Sequence, residues 1–410
     1  MPPIIQLCTL ADRGIIFEYS AYLAAGLALQ DFDVILQTGE GPEWPLDLPS
    51  RVTPISNFAL PSRQVCYGSV AWMIDRYKLA LGNAIQRLRL ARDKSATIVH
   101  IQVILPWVDV LFIPLLRRQA CVVCTVHDVV PHVFKLPSRL DLALRRQCYA
   151  LADGLIFHSQ ANLEQFKRVY GWCPSNASVI PIGLTWRGSE ESQSVEARTK
   201  LSIPQNSQVI LMFGQIRPNK GLDVLIEAFS RIISEIPDAF LLIAGGAHPT
   251  VDTNALCAML ESLPPHTYRW EDRWISEEEL EHCFRAATVV VLPYSTFGSQ
   301  SGVLTKAYAY GRPLVVTDVG SLGESVRDDG SGLVVTPNDP AGLAKSLRRL
   351  LTDDTLRNEF ECHVAQVAQG KYAWSNVSRL TARFYRSILR RGQESSSART
   401  ERLQSTNTDD

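Results

Sequence analysis

Three short clusters in this chain carry residue types that bind anions or move protons. The first is Phe213-Gly214-Gln215-Ile216-Arg217-Pro218-Asn219-Lys220-Gly221, between an apolar run and the amphipathic stretch LDVLIEAF. Glycines let backbone approach a ligand, a helix start offers free N–H groups at a positive dipole end, and Arg217 and Lys220 add charge. A diphosphate is the natural guest of such a loop; a strand-to-helix loop with solvated cations is the plainer alternative. The second cluster, Tyr294 to Leu304, joins another apolar run to a helix through hydroxyls and two glycines. The backbone amides around Ser301, Gly302 and Val303 can grip a phosphate or sugar, unless this is only a surface loop. The third is Thr125-Val126-His127-Asp128-Val129-Val130-Pro131-His132, where a strand ends in a proline-containing turn. Histidine there suits proton exchange near neutrality, against the alternative of a structural role. His158, after GLIF, occupies a similar place with less support.

Other chemistries lack their residues. Asp12-Arg13-Gly14 fits a tight first turn near an acceptor or phosphate, but no G-x-G-x-x-G fingerprint occurs where a nicotinamide site needs it. Neither a Walker A spacing, an H-E-x-x-H, a carboxylate cluster with metal spacing nor a G-x-S-x-G elbow is present. Cys121-x-x-Cys124 lies inside a strand. Residues three apart there point to opposite faces, so the pair belongs to the core.

The elements that must position these clusters follow from short apolar runs alternating with amphipathic stretches. β-Branched runs without strict alternation suit parallel strands buried on both faces, and the β-α-β-α order implies doubly wound sheets. The expected organisation is α/β, with an N-terminal Rossmann-like domain over 1–185 and a polar linker over 186–204. A second Rossmann-like domain covers 205–370, a helix 371–391 and a disordered, apolar-poor tail 392–410. Ligands of open parallel sheets bind outside the carboxyl ends of the strands, where all three clusters lie.

Composition bounds the class. The 410 residues, 46% hydrophobic and 20% charged, exclude a disordered, fibrous or membrane-spanning chain. A net charge of −1 gives no support to nucleic acid as a partner. Nine scattered cysteines, mostly in apolar stretches, read as a reducing cytosol, and no targeting segment is expected at the Met-Pro-Pro start.

Taken together, FGQIRPNKGLDVLIEAF, ISEEELEHCFRAATVVVLPY and SQSGVLTKAYAYGRPLVVTDVGSLGESVRDDGSGLVV resemble the C-terminal domain of family-four glycosyltransferases. DRGIIFEYSAYLAAGLALQDFDVILQT and the TVHDVVPH turn resemble the same family's first domain. The resemblance implies a GT-B fold, two Rossmann-like domains facing across a cleft. It also implies retaining transfer of a sugar from a nucleotide-sugar donor, with no cofactor and no required metal. By the resemblance, Lys220 holds the donor diphosphate, and Arg217 stands in for an arginine usual where this chain has Gln215. Gly214, Ser301, Gly302 and Val303 contact phosphate or sugar, His127 is catalytic, and Gly14 and His132 lie on the acceptor side. Glu324 matches a glutamate common after this motif. The chain departs from the family in its E-x7-E motif, whose positions fall near Gly298 and Lys306.

The expected partners are a nucleotide-sugar donor and a glycan, lipid-linked or small-molecule acceptor, in the cytoplasm. A basic amphipathic helix over 72–94, with Arg76, Lys78, Arg87, Arg89, Arg92 and Lys94, adds expected peripheral contact with anionic membrane at its inner face. The rival readings are a glycan phosphorylase or epimerase on the same fold, and a non-catalytic sugar-nucleotide-binding protein.

Overall fold

The computed structural model describes residues 2–60, 70–131, 137–188, 191–298 and 301–406. The chain forms two compact units, Met1–Gly183 with Trp374–Asp410, and Leu184–Ala373. Each is built on one parallel sheet with helices on both faces. In the first unit the strands are β1 (Ile4–Cys8), β2 (Asp33–Gly39), β3 (Val52–Phe58), β4 (Ile98–Ile101), β5 (Cys121–Val126), β6 (Gly154–Phe157) and β7 (Ala177–Val179). Its helices are α1 (Ile15–Ala28), α2 (Val70–Asp93), α3 (Pro106–Leu116), α4 (Ser138–Leu151) and α5 (Gln160–Tyr170). The strand order is β3-β2-β1-β4-β5-β6-β7.

The second unit contains α6 (Glu191–Lys200), β8 (Gln208–Phe213), α7 (Leu222–Ile232), β9 (Ala239–Ala244), α8 (Thr253–Glu261) and β10 (Tyr268–Glu271). It continues with α9 (Glu277–Ala286), β11 (Val289–Leu292), α10 (Gly302–Ala309), β12 (Leu314–Thr317), α11 (Leu322–Asp329), β13 (Gly332–Val335), α12 (Pro340–Thr352) and α13 (Asp354–Gln369). The strand order is β10-β9-β8-β11-β12-β13. A last helix, α14 (Trp374–Thr406), returns to the first unit and packs on α1.

Side-chain alternation along β5 shows why such runs need two covered faces. Val123 packs in the cluster containing Tyr19 and Tyr385, while Val122, Cys124 and Val126 pack in the cluster containing Phe157 and Phe166. Cys121 and Cys124 fall on opposite faces, and both are free thiols. In each sheet the order turns back beside its first strand, between β1 and β4 and between β8 and β11. Those crevices at the carboxyl ends are where open parallel sheets take ligands.

Two expectations about organisation change. The stretch read as a linker contains α6, whose Ala197 is buried with Leu201 and Ile203 in the core of the second unit. Ala197 is the buried residue of this ten-residue helix, and Gln193 and Arg198 bind Arg285 and the Ala286 carbonyl, so its Ser/Glu-rich composition hides it. The stretch from Gly392, read as disordered, continues α14 as far as Thr406. Few apolar residues means little to pack, but Glu, Ala, Arg, Leu and Gln still favour propagation of a helix already begun. The helix expected over 371–391 begins instead at Trp374. Among the described residues no helix is long and apolar enough to cross a membrane.

Candidate active site in two halves

In the second unit, the loops after β8 and β11 are zipped together. Asn219 accepts a hydrogen bond from the Ser295 amide through its carbonyl (3.0 Å), and its carboxamide donates to the Thr296 carbonyl (3.0 Å). Gly221 has φ +68°, and a Cβ there would stand 2.1 Å from the Pro293 carbonyl oxygen, so only glycine closes this seam. Across it, the backbone of Gly214 lies against Val303, 3.6 Å from where a Cβ would sit. Ser301 caps α10, its hydroxyl accepting from the Leu304 amide, and Gly302 opens the helix. The seam thus brings Gly214, Lys220, Ser301, Gly302 and Val303 to one edge of the sheet, beside the positive end of α10.

Lys220 is half-buried, with its Nζ 3.6 Å from the centre of the Tyr294 ring and 5.5 Å from that of Phe297. Burial, then the charge of Arg217, lowers its ammonium to about 8. Arg217 is exposed and donates to Gln215 (2.9 Å), so the two candidates for the family's arginine role touch each other. Glu324 lies in the first turn of α11, after β12, the neighbour of β11. The loop before α11 meets that after β11: a Cβ on Gly320 would stand 2.4 Å from the Phe297 carbonyl. At the departed E-x7-E positions, Gly298 is exposed and Lys306 pairs with Glu277 (3.5 Å).

The first unit builds a different arrangement from the carboxyl ends of four adjacent strands. Gln102 follows β4, His127 follows β5, His158 follows β6 and Ile180 follows β7. His158 Nδ1 lies 3.0 Å from the Ile180 carbonyl, His158 Nε2 lies 3.0 Å from His127 Nδ1, and His127 Nε2 lies 2.9 Å from the Gln102 carboxamide. A carbonyl only accepts, so His158 donates from Nδ1. Burial lowers His158 to about 4 and pushes His127 well below its ordinary value, the latter also opposed by His158 and His100. Both rings are therefore neutral near pH 7. His127 then donates from Nδ1 to His158 and keeps a lone pair at Nε2. That selects the orientation of Gln102 in which its amide N–H faces the ring.

A ring held neutral, with both nitrogens engaged, presents an oriented dipole at the end of β5. Sequence reasoning ranked His158 low and missed Gln102, Tyr19 and Tyr385. Tyr19 of α1 packs edge-on against both His127 and His158, ring centres 5.4 Å apart in each case. Tyr385 of α14 meets His100 Nδ1 at 2.6 Å. Alternating apolar and aromatic positions on α1 were the available signal for Tyr19.

Gly14 precedes α1 with φ +83°, and a Cβ there would meet nothing within 4 Å, so the turn after β1 is open. Thr9 and Tyr19 near this turn carry buried hydroxyls without a hydrogen-bond partner among the described residues. His132 lies outside the described residues. Beside His127, a pocket of about 210 Å³ is lined by Trp107, Asp128, Asp141, Arg145 and Tyr149 among others. Arg145 donates to Asp141 at 2.5 Å. Among the described residues no group of three or more His, Cys, Asp or Glu is placed to hold a metal ion.

Comparison with known proteins bears on both halves. Residues 17–185 match the family described as Glycosyltransferase Family 4, and residues 207–353 that described as Glycosyl transferases group 1. A D-inositol 3-phosphate glycosyltransferase 1 of Catenulispora acidiphila is 30% identical over 290 residues, 68% of each chain. A D-inositol 3-phosphate glycosyltransferase of a Nocardioides species is 27% identical over 262 residues, 58% of this chain. The match spans only 55% of that relative's length. The solved structure of Anabaena HepE in complex with UDP and glucose superposes with a TM-score of 0.69 at 16% identity, over 93% of this chain and 99% of HepE. This likeness bears out the expected fold class of two Rossmann-like α/β domains. The chain belongs to glycosyltransferase family 4.

Proposed function

We propose that this protein transfers a sugar from a nucleotide-sugar donor to a hydroxyl of a glycan, glycolipid or small-molecule acceptor, with retention of configuration. The observation that carries the reading is the seam between the loops after β8 and β11. It gathers Lys220, the Gly214 backbone and the capped start of α10 at a switch point of a parallel sheet. A diphosphate leaving group there is neutralised by Lys220, by Arg217 and by the helix terminus, which is electrostatic stabilisation of departing charge. In this reading the leaving phosphate accepts the acceptor's proton, and no cofactor or metal takes part. His127 and its partners present oriented dipoles at the carboxyl ends of the first unit's strands, on the acceptor side.

On the acceptor side, the pocket beside His127 supports an uncharged, hydroxyl-rich ring. Among its described lining residues Asp128 and Asp141 outnumber Arg145, which is already bound to Asp141. Trp107 offers an apolar face to such a ring. The reading keeps the protein in the cytoplasm, with peripheral contact to anionic lipid through α2.

The test is transfer of labelled sugar from a panel of nucleotide sugars, beginning with UDP-glucose, to paired neutral and phosphorylated acceptors, with and without EDTA. The reading expects product from at least one donor, survival of activity in EDTA, and preference for the neutral member of each pair. Complete loss in EDTA with recovery on Mg²⁺ or Mn²⁺ would contradict the metal-independent mechanism. Donor binding without turnover across the panel would favour a non-catalytic binding protein, in keeping with Lys306 at an expected glutamate position.

A further inference from the structure

We propose that Tyr294 is a positioning residue for the diphosphate site: its ring face, backed by Phe297, holds the Lys220 ammonium at the loop seam until an anion takes it. The proposal rests on the diphosphate reading above. Among the described residues Lys220 has no carboxylate partner, and the face of Tyr294 at 3.6 Å is its nearest electrostatic support. A ring face attracts a cation through its quadrupole, more strongly where water is excluded.

The platform itself is fixed. Tyr294 is 1% exposed, its ring centre lies 5.3 Å from that of Phe297, and its carbonyl accepts from the Thr317 hydroxyl at 2.6 Å. The lysine is delivered to it by backbone. Gly221 lies on Pro293, and Asn219 binds Ser295 and Thr296, on either side of Tyr294. A flexible four-carbon stem is thus held near one place before a ligand arrives, which reduces the ordering required on binding. Burial and Arg217 disfavour the charged form of Lys220, and a ring face at 3.6 Å favours it through its quadrupole. A bound diphosphate reverses the balance, so the amine takes up a proton when an anion binds above about pH 8.

The experiment is calorimetric binding of UDP and of inorganic pyrophosphate to the full chain, with donor kinetics where turnover is found. Tyr294→Phe keeps the ring and is expected to bind like wild type. Tyr294→Leu is expected to weaken binding about 3- to 30-fold and to raise the donor KM with kcat unchanged. In a Lys220→Ala background Tyr294→Leu is expected to cost nothing further, because the ring acts through the lysine. Should Tyr294→Leu fail to fold, Phe297→Leu tests the same platform, with a smaller loss that also vanishes without Lys220. An equal loss with and without Lys220, a Phe variant as weak as the Leu variant, or no loss at all would overturn the proposal while wild-type binding stands. A wild-type protein that binds neither UDP nor pyrophosphate would overturn the diphosphate reading and this proposal with it.

Discussion

His127 stands at a strand end, and burial beside His158 and His100 favours its neutral ring. Its type and place were legible from the sequence; its wiring was not, because Gln102, His158 and Ile180 follow three other strands and Tyr19 comes from a helix, while Tyr385 near the far end of the chain reaches the neighbouring His100. The wiring has a consequence for stability. His100 and His158 are lowered by burial to about 3 and about 4, and His127 well below its ordinary value. In the unfolded chain all three take up a proton near pH 6.5. A depressed histidine leaves stability intact above the unfolded value and removes it as pH falls below that value toward the folded one. Each contributes up to about 1.4 kcal/mol per pH unit in that window. Chemical denaturation is therefore expected to show a fall in stability between about pH 6.5 and 4, with a shallower slope in His158→Gln. A flat profile in wild type across that window would show that the rings titrate normally in the fold.

At the scale of elements, the loops after β8 and β11 were legible as strand-to-helix connections because glycine, cations and helix starts are local features. What was not legible was packing. The face of α2 read as basic loses Arg87, which is 3% exposed and paired with Asp109 of α3. Asp109 also accepts from the Leu105 amide (2.7 Å), so this pair fastens α2 to the start of α3 and faces no lipid. The side chains of Trp72 and Met73, at the start of the helix expected over 72–94, lie outside the described ones. A helical-wheel reading cannot separate a buried ion pair from an exposed cation, since both are arginine at helical spacing. Arg87→Ala is expected to cost about 3–5 kcal/mol in urea denaturation, because it leaves a buried carboxylate unpaired. Lys78 and Arg89 are exposed on α2. Lys78→Glu with Arg89→Glu is expected to leave stability within about 0.5 kcal/mol of wild type and to reduce co-sedimentation with anionic vesicles at low salt. Unchanged co-sedimentation would remove α2 from the proposed lipid contact.

At the scale of the whole molecule, the chain leaves the first unit after Gly183 and returns to it at Trp374, so neither unit is a simple stretch of sequence. The linear division into domain, linker, domain and helix missed this because a crossing is a long-range event with no local composition. The crossing is fastened within the second unit by Asp329, a buried carboxylate. It accepts from Tyr308 (2.9 Å), Tyr372 (2.7 Å) and Lys371 (2.8 Å), just before the return. Fold and chemistry meet in the proposal that the seam between the loops after β8 and β11 neutralises the donor diphosphate of this family 4 transferase. The most direct test is the kcat/KM of sugar transfer by the full chain in EDTA, wild type against Lys220→Ala, with the fold checked by circular dichroism. The account predicts a loss of roughly 30- to 1000-fold, the scale of a missing charge-assisted contact to departing charge. A Lys220→Ala enzyme that transfers sugar as efficiently as wild type would contradict it.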